Sequence, residues 1–415
     1  MRHRPSLAVL LTLLCVTGFT GCECATRNPV APPDPTRRVV RLELSPATDT
    51  LVVGDTRTFV AVAHDSTDAV IVGAPVAWSS DDPAVVSVGA GGAAVAVGEG
   101  VTRLIARSGT AADTAIVAVI VRTGWYLQTS GTTSDLAGVA FRRDGRVGVA
   151  VGAGGTIVRT TDAGASWAAR TSGTTSDLRD VWFASDAIVY AVGAGGTLMR
   201  SADAGATWSR RLLPTTETLN GVCFADTSRG WIVSNGGLIL RTSDGGTSWF
   251  GVRPTAVALN AVSFAGSADG WAVGESGVIV GTHDGGRSWY LVQPTVTSQS
   301  LRGVWRRSAT RAIAGGFAGV QASCTATADS LGWSLGSFGA GNTIQAVQLV
   351  DDLNGYAVGV NGNGIVLRTR DGGATWAAQL PGTTVALQDV WFVDALRGWA
   401  VGPSGRIVHT SRGGD

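Results

Sequence analysis

The sequence predicts an all-β chain: a small β-sandwich followed by a seven-bladed β-propeller that is closed by its own N-terminal strand. Three observations carry this reading. First, the segment Thr369-Arg370-Asp371-Gly372-Gly373-Ala374-Thr375-Trp376 has copies at residues 160–167, 201–208, 242–249 and 282–289, each reading Ser/Thr-x-Asp-x-Gly-x-x-Trp. The marker aspartates Asp162, Asp203, Asp244 and Asp284 are spaced by 41, 41 and 40 residues, and Asp371 follows after 87, two periods with one marker lost. A period near 40 residues signals stacked supersecondary units. Second, Leu-x-x-Val-x-Phe and then Gly-Trp/Tyr-Ala-Val-Gly recur in fixed order around each marker. Third, residues 130–136 are identical to residues 172–178, although nothing that looks like a complete unit precedes them.

Composition agrees. Of 415 residues 58 are glycine, 45% are hydrophobic and only 15% are charged, which suits many short strands joined by tight turns. The net charge is +1 and every basic residue is Arg, without a basic block, so nothing steers the chain toward nucleic acid.

Residues 1–21 read as a secretory signal, with Arg2 and Arg4 ahead of an apolar run over residues 7–19 that is too short to span a membrane. Phe19-Thr20-Gly21-Cys22 resembles a bacterial lipobox, which implies that Cys22 is acylated and becomes the mature N-terminus. Several acyl chains on one cysteine hold a protein firmly on a membrane. Glu23 is unlike the Asp that retains such lipoproteins at the inner membrane, so the expected address is the cell envelope, as an exported outer-membrane lipoprotein. Residues 22–38 then carry Pro29, Pro32, Pro33 and Pro35 and read as an extended tether. After the signal and the lipid site, Cys24, Cys223 and Cys324 remain, an odd number that implies no complete disulfide framework and leaves a Cys223–Cys324 bridge open.

Residues 39–122 alternate apolar and polar positions in short runs, as in residues 58–63 and 114–119, which suits a small antiparallel sandwich. The Trp-Ser-Ser-x-x-Pro-x-Val pattern of residues 78–85, followed by Gly98-Glu99-Gly100-Val101-Thr102, resembles the bacterial immunoglobulin-like group 2 family. The resemblance implies a stalk or spacer module, and Trp78 reads as core.

From residue 124 to 415, first strands begin at Leu136, Leu178, Leu219, Leu259, Leu301, Ile344 and Leu387, so there are seven units of four strands. The last unit stops at Asp415 without a Trp strand, and the missing strand stands at residues 125–128. Joining the two removes the open edges of a linear array.

The marker resembles the Asp-box of sialidases, sortilin-type receptors and related propellers. Its Asp can accept backbone N–H groups of its own turn, its glycines permit positive φ, and Trp167, Trp208, Trp249, Trp289 and Trp376 pack between blades. Five equivalent aspartates read as structural, and no catalytic residue is assigned. The fuller pattern Arg-Thr-x-Asp-Gly-Gly-x-x-Trp, with its flanking strands, resembles the photosystem II assembly and stability factor family over nearly all of residues 124–415. The resemblance implies a non-catalytic propeller that binds membrane-protein subunits during assembly. The sandwich and the anchor are additions to that plan, and point to a non-photosynthetic relative.

A sialidase needs an arginine triad, a Tyr nucleophile and an activating Glu. Here Tyr126 and Tyr290 follow marker tryptophans, Tyr190 and Tyr356 occupy the Trp slot of the second strand, and the propeller has only Glu217 and Glu275. His64, His283 and His409 are too scattered for a zinc site, so no metal and no cofactor is expected. Binding remains. The loops after each fourth strand share a face with the glycine turns, a small, neutral, Thr-rich surface suited to a protein or peptide. The fifth unit, which lost its marker, breaks the symmetry, and Arg302, Trp305, Arg306 and Phe317 are its candidate partner contacts. The expected function is a membrane-anchored scaffold with a protein partner, itself expected to be a membrane protein; carbohydrate binding or cleavage is the alternative.

Overall fold

The computed structural model describes residues 37–120, 124–308, 310–327 and 330–415; the expected signal, the expected lipid site at Cys22 and most of the expected tether lie outside them. The chain divides into two units, residues 1–121 and 122–415. Among the described residues every regular element except a few 3-10 turns is a strand, and no helix is long and apolar enough to cross a membrane.

In the first unit, Arg41–Ser45 pairs with Val60–His64, a second sheet runs Thr48–Val52, Ala111–Ile120, Gly100–Ser108, Ala77–Ser80, and a third runs Thr56–Thr58, Ala93–Ala96, Val86–Val88. Their inward residues share one core around Phe59, Val86, Leu104 and Val117, and Trp78 packs against it. Gly92 is required there: a Cβ would lie 2.1 Å from the Phe59 carbonyl and 2.7 Å from the Trp78 ring. The expectation of antiparallel pairing throughout needs one correction, because Thr48–Val52 runs parallel to Ala111–Ile120. Pro46, which has no N–H to offer a ladder, ends the first strand. The chain then enters the other sheet and meets its last strand parallel.

The second unit is a β-propeller, with seven four-stranded antiparallel sheets among the described residues. Sheets I to VI follow the chain, with first strands Leu136–Phe141, Leu178–Phe183, Leu219–Phe224, Leu259–Ala265, Leu301–Ser308 and Thr343–Leu349. Sheet VII combines Asp389–Phe392, Gly398–Gly402 and Arg406–Thr410 with Tyr126–Gln128 as its outermost strand, in the register Tyr126–His409. Each first strand packs on the first strand of the next sheet, and that of sheet VII on that of sheet I. The exchange at the termini is detailed. Gly124 N–H donates to the Asp415 carbonyl at 2.7 Å, and Trp125 packs edge-on to Phe392 at 5.6 Å, as Trp167 does to Phe141 at 5.8 Å. Trp125 thus supplies the ring that the last, truncated marker lacks.

Neighbouring sheets are joined by one recurring stack. In sheets II, III, VI and VII the aromatic residue of the second strand lies flat on the Phe that ends the next sheet's first strand: Tyr190 on Phe224 at 4.0 Å, Trp231 on Phe264 at 3.4 Å, Tyr356 on Phe392 and Trp399 on Phe141 both at 3.6 Å. Its polar tip donates to the next marker, as Tyr190 does to Gly245 O at 2.7 Å and Trp231 to Gly285 O at 3.0 Å. The preceding glycine makes room, since a Cβ on Gly148, Gly230, Gly270 or Gly398 would fall 2.3 to 2.4 Å from the Phe ring of its own sheet. The Gly-Trp pair is therefore a packing device.

Candidate site at the mouth of the central channel

The markers fix the turns between the third and fourth strands. Thr160 Oγ donates to Asp162 at 2.7 Å, Asp162 accepts Ser166 N–H at 2.9 Å, and Thr160 Oγ accepts Gly164 N–H at 2.9 Å. The same set recurs at Asp203, Asp244, Asp284 and Asp371. Hydroxyl donation from Thr207, Ser248 and Ser288, helped by backbone N–H groups, holds Asp203, Asp244 and Asp284 down at about 2, and donation from Thr375 holds Asp371 well below the usual carboxylate range. These carboxylates are saturated by their own turns. The seventh sheet keeps the turn with Arg412 in the Asp position, where Thr410 Oγ accepts Gly414 N–H at 2.7 Å.

The first strands line the channel, and one feature escapes any count by twos. In sheets I to VI the pairing slips between the first and third residues, at Leu136/Gly138, Leu178/Asp180, Leu219/Gly221, Leu259/Ala261, Leu301/Gly303 and Ile344/Ala346. A bulge re-aims the residue it skips. The skipped residues Arg179, Asn220, Asn260, Arg302 and Gln345, with Gln388 of sheet VII, line the channel. They are already ordered: Arg179 donates to Asn220 Oδ1 at 2.9 Å, Asn220 Nδ2 to Leu259 O and Asn260 Nδ2 to Leu301 O, both at 2.8 Å. Sequence reasoning singled out only Arg302 among them. The signal was present as a polar second residue in six of seven aligned Leu-x-x-Val segments.

Deeper in the channel, Trp182, Trp305 and Trp391 meet from sheets II, V and VII with centroids 5.2 to 6.1 Å apart. They close a cavity of about 150 Å³ that also receives Asp180 and Asp389. Each of these carboxylates joins inner strands, accepting Val222 N–H and Val139 N–H respectively at 2.8 Å, besides the N–H of the following residue. Burial pushes both well above the usual carboxylate range, Asp180 further because Asp389 adds a like charge. The folded chain therefore keeps protons that the unfolded chain releases, and this contribution to stability is present at acid pH and declines as pH rises from about 4. The marker aspartates work the other way, contributing above about 4 and failing as pH falls. Replacing Asp389 with Asn is expected to lower the midpoint at which Asp180 titrates. Carboxyl ¹³C shifts over a pH series measure it, and an unmoved midpoint contradicts the coupling.

The four candidate contacts of sheet V separate. Arg302 lies over the Phe317 ring at 4.5 Å, next to the channel mouth. Trp305 lines the channel. Arg306 is only 3% exposed and fills the slot that holds Phe in sheets I to IV and VII. Its guanidinium lies over Trp271 at 5.5 Å, a cation–π contact in place of the ring stack, with Asp269 at 3.7 Å.

The four tyrosines are engaged in packing or local bonds. Tyr290 contacts His283 Nε2 at 3.0 Å and His283 contacts Asp269 at 2.6 Å, yet burial pushes the phenol up, against what a nucleophile needs. Glu217 binds Arg253 and Ser234, and Glu275 binds Ser300 and Asn260. Cys223 and Cys324 are separate buried thiols, and desolvation raises Cys223 to about 12. Among the described residues no group of three or more His, Cys, Asp or Glu could hold a metal.

The face around the mouth is rigid. Ser130 and Ser172 each donate to the carbonyl two residues on at 3.1 Å, and Asp135 and Asp177 accept Ser404 N–H and Gly154 N–H at 2.8 Å, pinning loop to glycine turn. A surface ordered beforehand loses less entropy on binding.

Residues 117–212 and 211–297 match the family model described as photosynthesis system II assembly factor YCF48. Among solved structures, YCF48 bound to a D1 peptide superposes with a TM-score of 0.59 at 20% identity, covering 70% of this chain and 98% of that one. YCF48 from Cyanidioschyzon merolae gives 0.58 at 21% identity, covering 69% and 98%. The WD40 repeats of RRP9 superpose as well, at 0.60, with only 10% identity, covering 70% of this chain and 97% of that one, so the superpositions speak for the fold. No match was found among curated proteins.

Proposed function

We propose that this photosystem II assembly factor-like β-propeller is a non-catalytic binding scaffold whose channel mouth receives an extended segment of a membrane-protein subunit. In this reading the seven sheets are seven blades of a closed ring. The residues before them form an immunoglobulin-like spacer, and acylated Cys22 anchors the exported chain at the outer membrane. The observation that carries the proposal is the ring formed by the bulge-directed Arg179, Asn220, Asn260, Arg302 and Gln345 together with Gln388. Amide and guanidinium groups offer donors and acceptors to a peptide backbone, and Phe317 adds an apolar contact that Arg302 holds in place. The relative with a bound D1 peptide supports a peptide as the class of ligand. Carbohydrate cleavage finds less support, because Asp180 and Asp389 are spent on backbone N–H groups and the three channel tryptophans pack on one another.

The test is chemical crosslinking in the native envelope, followed by purification of the full chain and identification of what stays attached. One reproducible membrane-protein partner is expected. Arg302→Ala with Phe317→Ala is expected to reduce its recovery about tenfold or more, the loss of two contacts at the centre of a site. Unchanged recovery contradicts the assignment of the mouth, and recovery of glycan alone contradicts the function.

A further inference from the structure

We infer that two copies of this chain join edge to edge through the outer strand of sheet V, pairing antiparallel over residues 332–336 about a two-fold axis at Ser334. The outermost strands of the other sheets are two or three residues long, which is one way natural sheets blunt their edges. In sheet V the outer strand Ser330–Ser337 has eight residues and follows an eight-residue neighbour, Val320–Thr327. Nothing in the sequence guards this edge. Between Arg311 and Asp351 the single charged residue is Asp329, in a chain that is elsewhere far richer in charge. Leu335 is 59% exposed, and a Cβ added at Gly332 would meet nothing within 4 Å.

A second copy is the occupant that this chemistry selects. Identical edges repel when they carry charge, because each meets its own sign; an uncharged edge is compatible with itself. The geometry is equally restrictive. Thr327 pairs with Ser330, so the even-numbered residues of the strand exchange hydrogen bonds with their neighbour and the odd-numbered ones direct N–H and C=O outward. A two-fold axis normal to the sheet keeps each side chain on its own face, so even residues oppose even ones. With the axis at Ser334, the outward backbone groups of Trp333 and Leu335 bond those of Leu335 and Trp333 in the other copy. Each exposed Leu335 then covers the indole of the other copy's Trp333, itself 9% exposed. The two Ser334 residues face each other as a non-hydrogen-bonded pair with Cα atoms about 4.5 Å apart, within the range a disulfide spans.

The test is Ser334→Cys in the full-length chain under mild oxidation, read on non-reducing gels beside the wild type, which controls for the natural cysteines. A covalent species of twice the mass is expected for Ser334→Cys. It should be absent for Ser209→Cys, on the short outer strand of sheet II, and lost in Ser334→Cys with Leu335→Lys, whose exposed position tolerates the charge. No dimer above the wild-type background overturns the proposal, as does a dimer that survives Leu335→Lys or capture of a different polypeptide by the thiol introduced at position 334. The channel mouth takes no part, so loss of partner recovery with Arg302→Ala and Phe317→Ala leaves this result unmoved.

Discussion

Trp399→Ala is expected to destabilise the propeller by about 3–5 kcal/mol, the range for removing a fully buried large aromatic. Trp399 is 0% exposed. One face stacks on Phe141 of sheet I at 3.6 Å and the other on His409 of its own sheet at 4.6 Å. Its Nε1 donates to Ala163 O, in the first marker, at 3.1 Å. The contact joins sheet I to sheet VII, the sheet in which strands from the two ends of the propeller pair, so its loss leaves a cavity beside that seam. Trp399→Phe keeps most of the stack and is expected to cost less than half as much. Urea midpoints and slopes for the two variants separate the cases. A loss under about 1 kcal/mol for Trp399→Ala would mean that the seam is not a packed junction.

The second large effect concerns two adjacent glycines. Gly154 and Gly155 both have positive φ, at 62° and 74°, yet they differ in what surrounds them. A Cβ at Gly154 meets nothing within 4 Å, whereas one at Gly155 would lie 2.1 Å from the Thr174 carbonyl and 2.9 Å from Ser172 Oγ. The other turns confirm the distinction. Ser276, Ala318 and Ser404 occupy the Gly154 slot at φ 54°, 55° and 57°, while Gly196, Gly277 and Gly405 keep the Gly155 slot, where an added Cβ would fall 1.8 to 2.0 Å from a loop carbonyl. Gly154→Ala is expected to cost roughly 1 kcal/mol, the strain of a left-handed alanine. Gly155→Ala is expected to cost about 3 kcal/mol or more, since backbone must move, and to loosen the loop beside the mouth. Equal midpoints for the two variants would contradict this account of the turn.

Repetition made much of this legible. Each marker, glycine turn and first strand appears several times, so residue types that one copy leaves ambiguous are settled by their slot. Trp125 could be joined to the last unit because residues 130–136 repeat residues 172–178. What repetition cannot show is what one unit does to another. The stack of Trp399 on Phe141 joins residues at opposite ends of the propeller, and Trp182, Trp305 and Trp391, which share the slot after Val in their first strands, meet across the ring from sheets that are not all neighbours. The raised pKa values of Asp180 and Asp389 likewise come from burial, with the charge of Asp389 adding to the shift of Asp180. Arg306 shows the opposite failing. Read alone in a divergent unit it looks like a surface cation; read in the slot of Phe183, Phe224, Phe264 and Phe392, it is a packing replacement over Trp271. The bulges, which turn Arg179 and its equivalents into the mouth, leave no mark on an alternation count, because skipping one residue inverts the face of all that follow.

The most direct measurement places a photo-crosslinking amino acid at Phe317, beside Arg302 at the mouth, and in parallel at Phe250, which is 55% exposed on the outer strand of sheet III. Irradiation in the native envelope is predicted to attach one membrane protein at position 317 and none at position 250. Attachment from both positions alike, or from position 250 alone, would contradict a scaffold that binds through its channel mouth.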